Sequence, residues 1–510
     1  MDFLVLSPPV CPPSEPPSGA FILASALAGH GYDTGFFDLS LEFYHRHLQR
    51  HGSSPGLGRA LDYLRNNPVY DPMNHRTAAG AIHRALKFYA REQPGWTLTA
   101  MDLLPPAPVH QPQKLMAMLD RDDPFLEMWQ DIIPQMLERH RPGRILVSVA
   151  YLSQLTAAIS LVRYLTRHGI AHIVGGSLIR SLHATGEGLH LLRSVIPRMD
   201  ISNGASLIAG ETDRDFLSRL AYPRILCEHS YLSGRPILPL TLSTGCYWSG
   251  CRFCPDKDMK YIQVRMPAFD QFMASIPADV MAQAPVIHLL DSAMPKNRLR
   301  AFMPIAQSHG IQFYGFARPE KRFADVGFLR DLSQSGCLML QLGVESGNDA
   351  LLSRFNKGIH PDDARRVLNG AADAGIRTYV YLLFGLPGET DREREDTRML
   401  ISDAIHSVDF LNLSIFNLPK YCELNDQASE FDIEIDAYAE SSQAIELYRP
   451  FRVRGTHESP RKAARAFIAN RFSSDEQIRL AMLRTPKWFR AAHLALMKVP
   501  GRNSYGVDIP

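Results

Sequence analysis

The chain is short of the features that would assign it to several large classes of protein. It has seven cysteines in 510 residues, too few and odd in number for a disulfide framework. No apolar run nears the roughly 18 residues that a membrane-spanning helix needs. The start, Met1-Asp2-Phe3-Leu4-Val5-Leu6-Ser7, lacks a basic leader and stops at Pro8-Pro9, so it reads as a buried strand, not a secretion signal. Neither charge sign dominates. Against 53 acidic residues stand 55 Lys and Arg, a net charge of +2, which removes any global argument for nucleic-acid binding. No repeat of fixed period occurs. These absences lead to the expectation of a cytoplasmic protein with no membrane span and no nucleic-acid partner.

What is present is an ordinary core-forming composition, 45% hydrophobic and 21% charged, in a chain long enough for two or three domains. The first segment, 1–225, alternates strands with helices and predicts an α/β fold with a doubly wound parallel sheet. Asp2–Ser7, Thr34–Asp38, Arg144–Ala150 and Ile170–Val174 are its strands. A proline-rich loop, Pro8 to Pro17, follows the first, with Ser18 as N-cap of the next helix. Residues 45–140 read as a helical insertion. A last unit spans Ile201 to Leu220. The second segment, 236–420, contains six strand-like runs: Ile237–Ser243, Val286–Asp291, Ile311–Phe316, Leu338–Glu345, Arg377–Phe384 and Val408–Phe416. Helices between them predict a partial (β/α)6 barrel with active groups at the strand carboxyl ends. Pro361 opens one helix and Gly375 closes it. Thr390 and Glu393 form a capping box. The last segment, 425–510, reads as helical and basic, from Arg449 and Arg461 through Arg484 to Arg490, Lys498 and Arg502. It is either a solvated surface or a cap for an acidic substrate.

Three of the seven cysteines fall within nine residues, in Thr244-Gly245-Cys246-Tyr247-Trp248-Ser249-Gly250-Cys251-Arg252-Phe253-Cys254. Three thiolates on one loop can reach three corners of a cubane iron–sulfur cluster and leave the fourth iron open to substrate. The same three, with Cys227 or a histidine, could instead hold zinc, which would make the chain a zinc-stabilised binding module and not an enzyme. Gly245 and Gly250 allow a tight loop, and Gly250 can absorb an extra residue.

This loop resembles the cluster motif of the radical S-adenosylmethionine (SAM) superfamily, and the pattern continues downstream. Leu342-Gly343-Val344-Glu345-Ser346-Gly347-Asn348-Asp349, then Asn356-Lys357-Gly358, is similar to the fourth-strand motif. Phe384-Gly385-Leu386-Pro387-Gly388-Glu389-Thr390 is similar to the segment after the fifth strand, and His288-Leu289-Leu290-Asp291 holds the second-strand position. The resemblance implies that Cys246, Cys251 and Cys254 ligate a 4Fe–4S cluster. It implies that Glu345 binds the ribose of SAM and that Gly385, Leu386 and Pro387 lie beside the adenine. The activity implied is reductive cleavage of SAM to a 5′-deoxyadenosyl radical that modifies an unactivated carbon. The reductant would be a flavodoxin or ferredoxin and the substrate a small molecule or peptide. One departure stands out: four residues, not three, separate Cys246 from Cys251.

The first segment resembles the cobalamin-binding-like domain that precedes the barrel in one branch of that superfamily. Pro16-Pro17-Ser18-Gly19, Val147-Ser148-Val149-Ala150, Val174-Gly175-Gly176-Ser177 and Gly210-Glu211 carry the likeness. The first loop has no histidine to serve as cobalt ligand, and the nearest look-alike, Ser181-x-His183-x-x-Gly186, follows a later strand. Either cobalamin binds without a histidine, and the reaction is a methyl transfer, or the domain has lost it, and the reaction is a rearrangement or cyclisation. Among single residues, Phe253 either shields the cluster and touches the adenine or packs in the core. Asp291 either faces the substrate or caps a helix. Arg318 either contacts the cofactor carboxylate or forms a structural salt bridge. Cys11 faces a cofactor or is inert packing. Tyr421 and Cys422 either lie where substrate contacts occur or have a structural role.

Overall fold

The computed structural model describes residues 1–488 except 53–55, 68–69, 185–187, 203, 209–210, 436–442 and 457–458. Gly186, Gly210, Arg490, Lys498 and Arg502 therefore lie outside the described residues.

Two parallel sheets organise the chain. The first contains β1 (Phe3–Ser7), β2 (Thr34–Asp38), β3 (Arg144–Ser148), β4 (His172–Gly175) and β5 (Arg224–Ile225) in the order β4-β3-β1-β2-β5. The order reverses at β1, whose neighbours β2 and β3 run parallel to it on opposite sides. A crevice outside the strand carboxyl ends at such a reversal is where doubly wound sheets take ligands. Helix α1 (Ser18–Gly29) covers one face. Ser18 is its first helical residue and Pro17 its cap, with no side-chain capping bond. The expected N-cap role of Ser18 is thus displaced by one residue. The other face carries α2 (Leu39–Arg50), capped by Asp38, and the helices 57–66, 72–86, 112–121 and 126–140. Trp129 is fully buried there and donates to Ser160 Oγ at 2.8 Å.

The second sheet contains β6 (Ile237–Leu240), β7 (Val286–Leu289), β8 (Gln312–Ala317), β9 (Cys337–Glu345), β10 (Arg377–Phe384) and β11 (Phe410–Ile415), all parallel and adjacent in chain order. A sheet made of successive βα units is buried on both faces. Leu238, Ile287, Phe313, Leu340, Val380 and Leu411 pack under the helices. The alternate residues Ile237, Val286, Tyr314, Met339, Tyr379 and Phe410 form a separate apolar layer on the opposite face, closed by Tyr70 of the first segment. The two halves share a seam in which Phe21 of α1 meets Phe272 with ring centroids 6.2 Å apart.

The helix starts and stops follow the residues that signal them. Pro361 occupies the first turn of helix Pro361–Asp373, and Gly375 just beyond it has φ 79°. Thr390 and Glu393 make the capping box, with Thr390 N donating to Glu393 Oε2 at 2.9 Å. The segment after 425 departs from the all-helical expectation. Two short antiparallel ribbons, Leu418–Pro419 with Tyr448–Arg449 and Ile433–Ile435 with Phe451–Val453, precede helices Pro460–Asn470 and Glu476–Arg484. Alternating Ile433, Ile435, Phe451 and Val453 cover an apolar cluster around Phe355 and Phe431, a period of two that the basic side chains between them obscure. Those basic side chains make local contacts, as Arg454 with Glu434 and Arg461 with the Phe416 carbonyl. Among the described residues no helix is long and apolar enough to cross a membrane.

Candidate active site at the cysteine loop

The cysteine loop leaves the carboxyl end of β6 and is closed by a two-residue antiparallel pair, Ser243–Thr244 with Ile262–Gln263. Asp291, just past β7, anchors its base. The buried carboxylate accepts from Leu242 N at 2.8 Å and Ser243 Oγ at 2.6 Å, and burial pushes its pKa up to about 6. Its oxygens thus bond the base of the loop rather than cap a helix. Within the loop Cys251 O accepts from Cys254 N at 3.1 Å. Between Cys246 and Cys251 the residue that turns left-handed is Ser249, at φ 47°. Gly250 is needed instead because a Cβ there would lie 2.6 Å from Trp248 Nε1. The extra residue is thus absorbed at Ser249, not at Gly250.

Two basic residues outside the loop and its own Trp248 clamp it in place. Trp248 Nε1 donates to the Asn356 carbonyl at 2.9 Å, and its ring lies 4.6 Å from the Arg318 guanidinium. Arg318 is 4% exposed. It donates to the Lys357 carbonyl and reaches Cys251 Sγ at 3.8 Å. Gly358, at φ 68°, lies so close under the Trp248 ring that a Cβ there would overlap it. The Asn356-Lys357-Gly358 stretch is therefore a strap over the cysteine loop, and Arg318 joins the two. Arg318 also pairs with Glu320 at 3.7 Å, so it makes the salt bridge that was one of its two expected roles and contacts a thiol and a carbonyl besides.

The thiols themselves are sheltered. Cys251 is buried; Cys246 and Cys254 are half-buried. Burial, and then the Asp256 carboxylate, push Cys254 up to about 12. Burial also raises Cys251, opposed by the charges of Lys357 and Arg318. A metal that replaces the proton relieves this penalty.

Glu345 ends β9 at a register shift, with φ 63°. A bulge and a left-handed, non-glycine residue re-aim a side chain at the cost of local strain. Its Oε1 pairs with Lys357 Nζ at 2.9 Å. Gly343 keeps this pair in place, since a Cβ there would meet Glu345 Oε1 at 2.9 Å. The turn after β10 is held by a buried charge pair. Glu389 Oε2 accepts from Gly385 N at 2.5 Å and from Arg394 Nε at 3.1 Å, and burial pushes Glu389 up to about 7. Gly385, at φ 80°, supplies the left-handed conformation, and Leu386 and Pro387 are buried. Phe253 is half-buried, meets Phe355 edge-on at 6.5 Å and packs against the apolar cluster near it.

The face of the second sheet away from its helices is polar above its aromatic floor. His288 stacks on Tyr314 at 4.3 Å and donates to Glu15 Oε2 at 2.9 Å. Glu15 comes from the proline-rich loop, so the first segment reaches directly into this face. Gln341 is buried and its Oε1 has no hydrogen-bond partner among the described residues. Phe316, Tyr381, Leu383, Asn412 and Ser414 along the same face stay half-buried.

Two cavities lie between the first sheet and the cysteine loop. One, of about 190 Å³, runs along Gly19, Ser148, Gly175, Gly176 and Thr244 at the reversal of strand order. The other, of about 450 Å³, is lined by Ala150, Tyr151, Ser177 and Arg180 on one side and by Thr244, Pro255, Asp256 and Lys260 on the other. Tyr421 lines it as well, whereas Cys422 is buried with its thiol on the Pro419 carbonyl. The rings of Tyr151 and Tyr448 line it too and are 53% and 60% exposed. Cys11 is buried, its amide bonded to Ser40 Oγ at 2.6 Å, which fits packing rather than a ligand. His183, on helix Ser177–Ala184, is not among the residues that line the two cavities.

Residues 307–401 match the family model described as the Radical SAM superfamily. The chain carries a radical SAM domain. It is a radical SAM enzyme, and the matched stretch carries Arg318, Glu345, Lys357 and Gly385 on three consecutive strands and their loops. Among solved structures, the radical SAM methyltransferase TsrM from Kitasatospora setae, with cobalamin and a 4Fe–4S cluster bound, is 14% identical. That match covers 92% of this chain and 85% of TsrM with a TM-score of 0.49. The cobalamin-dependent radical SAM enzyme OxsB is 15% identical over 84% of this chain and 56% of its own, with a TM-score of 0.46.

Proposed function

We propose that this radical SAM enzyme holds its cluster on Cys246, Cys251 and Cys254, holds a cobalamin against the first sheet, and transfers a methyl group to an unactivated carbon of a small molecule or peptide. The observation that carries the reading is the 450 Å³ cavity, whose walls are the strand ends of a doubly wound sheet on one side and the cysteine loop on the other. When bound, a cluster of this kind supplies the electron that cleaves SAM, and a cobalamin supplies a transferable methyl group.

In this reading the chain's residues divide the work. Arg318 and Lys357 place two positive charges beside the thiolates, which favours their ionised, metal-binding form. Glu345 is held forward by its bulge and by Lys357 so that its carboxylate can accept from ribose hydroxyls. The turn at Gly385, Leu386 and Pro387, fixed by Glu389, gives the adenine a rigid backbone edge. Tyr151 and Tyr448 offer exposed rings to a flat cofactor, and the glycines Gly19, Gly175 and Gly176 leave room for its tail. The histidine-free loop means that no imidazole from that loop binds cobalt. Gln341, His288 and Glu15 offer hydrogen bonds to a substrate seated on the polar face.

The test is anaerobic reconstitution with and without hydroxocobalamin, followed by desalting. The expected result is one corrin retained per chain, seen by its absorbance. A chain that retains its cluster but no corrin would remove the methyl-transfer reading and leave a cobalamin-free rearrangement.

A further inference from the structure

A second cluster of ligand-type side chains lies in the helical layer of the first segment, on residues that the reaction does not use. His47 and His51 are one turn apart, at the end of α2 and just beyond it, so both project from the same side of the helix. Glu92 ends the short helix Tyr89–Glu92 and reaches between them. Its Oε1 lies 3.0 Å from His51 Nε2 and its Oε2 lies 3.6 Å from His47 Nδ1. One ligand atom from each of the three residues falls within 4.8 Å of the other two. The rings are 4.7 Å apart.

The hydrogen bonding decides what this arrangement needs. His47 Nε2 lies 3.1 Å from the Ala85 carbonyl. A carbonyl oxygen only accepts, so Nε2 carries the proton. A neutral imidazole then has its lone pair at Nδ1, and that lone pair faces the Glu92 carboxylate. Two electron-rich atoms in this position repel unless a metal cation or a second ring proton lies between them. A histidine that gives one ring N–H to a backbone carbonyl and turns the other nitrogen inward is the arrangement that orients metal-ligating imidazoles. His47 is 4% exposed, which makes the inner wall dry, whereas the side chains of His51 and Glu92 are 20% and 33% exposed. An ion can therefore enter from solvent at the rim. Two imidazoles and one carboxylate suit a borderline divalent metal such as zinc, with water as fourth ligand. Zinc–ligand distances of about 2.0–2.1 Å would draw neighbouring donors to about 3.3 Å, a rotamer-scale adjustment.

We propose that His47, His51 and Glu92 bind one divalent transition-metal ion, zinc foremost, which staples α2 to the helix ending at Glu92. None of the three residues lines the two cavities beside the cysteine loop. The experiment uses the full-length enzyme with its cluster already reconstituted, so that the thiols are occupied. Zinc is added, excess is removed by desalting, and zinc and iron are counted by mass spectrometry. Wild type is expected to retain one zinc per chain. His51→Ala and Glu92→Gln, at part-exposed positions where folding is tolerant, are expected to weaken zinc binding at least tenfold with unchanged iron. Zinc is also expected to raise the unfolding midpoint of wild type by a few degrees and to leave both variants unmoved. Equal zinc in wild type and both variants would overturn the site. So would wild type that retains no zinc, since the pair would then be an imidazolium bonded to a carboxylate.

Discussion

Gly358→Ala perturbs the site without touching a thiol. The new methyl group meets two costs. Holding alanine at φ 68° costs about 1–2 kcal/mol. The methyl also overlaps the Trp248 ring, and relief of overpacking costs about 1–3 kcal/mol. The ring cannot slide freely, because its Nε1 is bonded to Asn356 O and Arg318 lies against its face. The total, about 2–5 kcal/mol, disfavours the native loop roughly 30-fold or more. The loop, and with it Cys246 and Cys251, must move. After anaerobic reconstitution the variant should hold well under half the iron and sulfide of wild type and form correspondingly less 5′-deoxyadenosine. Gly375→Ala is the control. It has φ 79° and open space around the new methyl group, so it carries the strain alone and should load iron normally. Full iron and full SAM cleavage in Gly358→Ala would refute the strap.

Three further outcomes follow from the buried charges and the cavity. Arg394→Met leaves Glu389 buried without its cation and should cost about 3–5 kcal/mol. Because burial already pushes Glu389 up to about 7, the carboxyl is neutralised below that pH, and the loss in unfolding midpoint should be smaller at pH 5.5 than at pH 8. Asp291 is raised to about 6, so the folded state holds this proton more tightly than the unfolded chain. Stability from that proton is full below the ordinary aspartate range and falls as pH rises toward 6, by up to about 3 kcal/mol. Asp291→Asn should remove this slope in denaturant titrations, and an unchanged slope would contradict the assignment. Tyr151→Ala removes a ring exposed in the 450 Å³ cavity. It should weaken corrin retention about tenfold, the loss of about 1.5 kcal/mol of apolar burial, read by absorbance after desalting.

Much of this architecture was legible in the residues. Apolar runs stopped by Pro8 and by Gly385 place β1 and β10 to within a residue, because period and punctuation agree there. The capping box at Thr390 and the stop at Gly375 are local, so sequence displays them. Glu345 and the cysteine loop stood out because their spacing is chemical and not merely structural. What sequence hid were contacts between distant segments. Asp291 holds residues some 50 positions earlier, and Glu15 meets His288 across 273. Neither leaves a periodic trace. Trp248 was visible within the motif, but its seat over Gly358 was not; a glycine directly after the Asn356-Lys357 pair was the available signal. The ribbons near 418–453 were masked by arginines on their exposed positions.

The claim at the centre is that Cys246, Cys251 and Cys254 hold a four-iron cluster with one iron left open. It is tested most directly by electron paramagnetic resonance of the reconstituted, reduced protein before and after addition of SAM. The account predicts about four irons per chain, a reduced-cluster signal whose shape changes when SAM is added, and loss of both iron and signal in the triple cysteine-to-alanine variant. A signal indifferent to SAM, or a chain that takes up zinc at these thiols and no cluster, would contradict it.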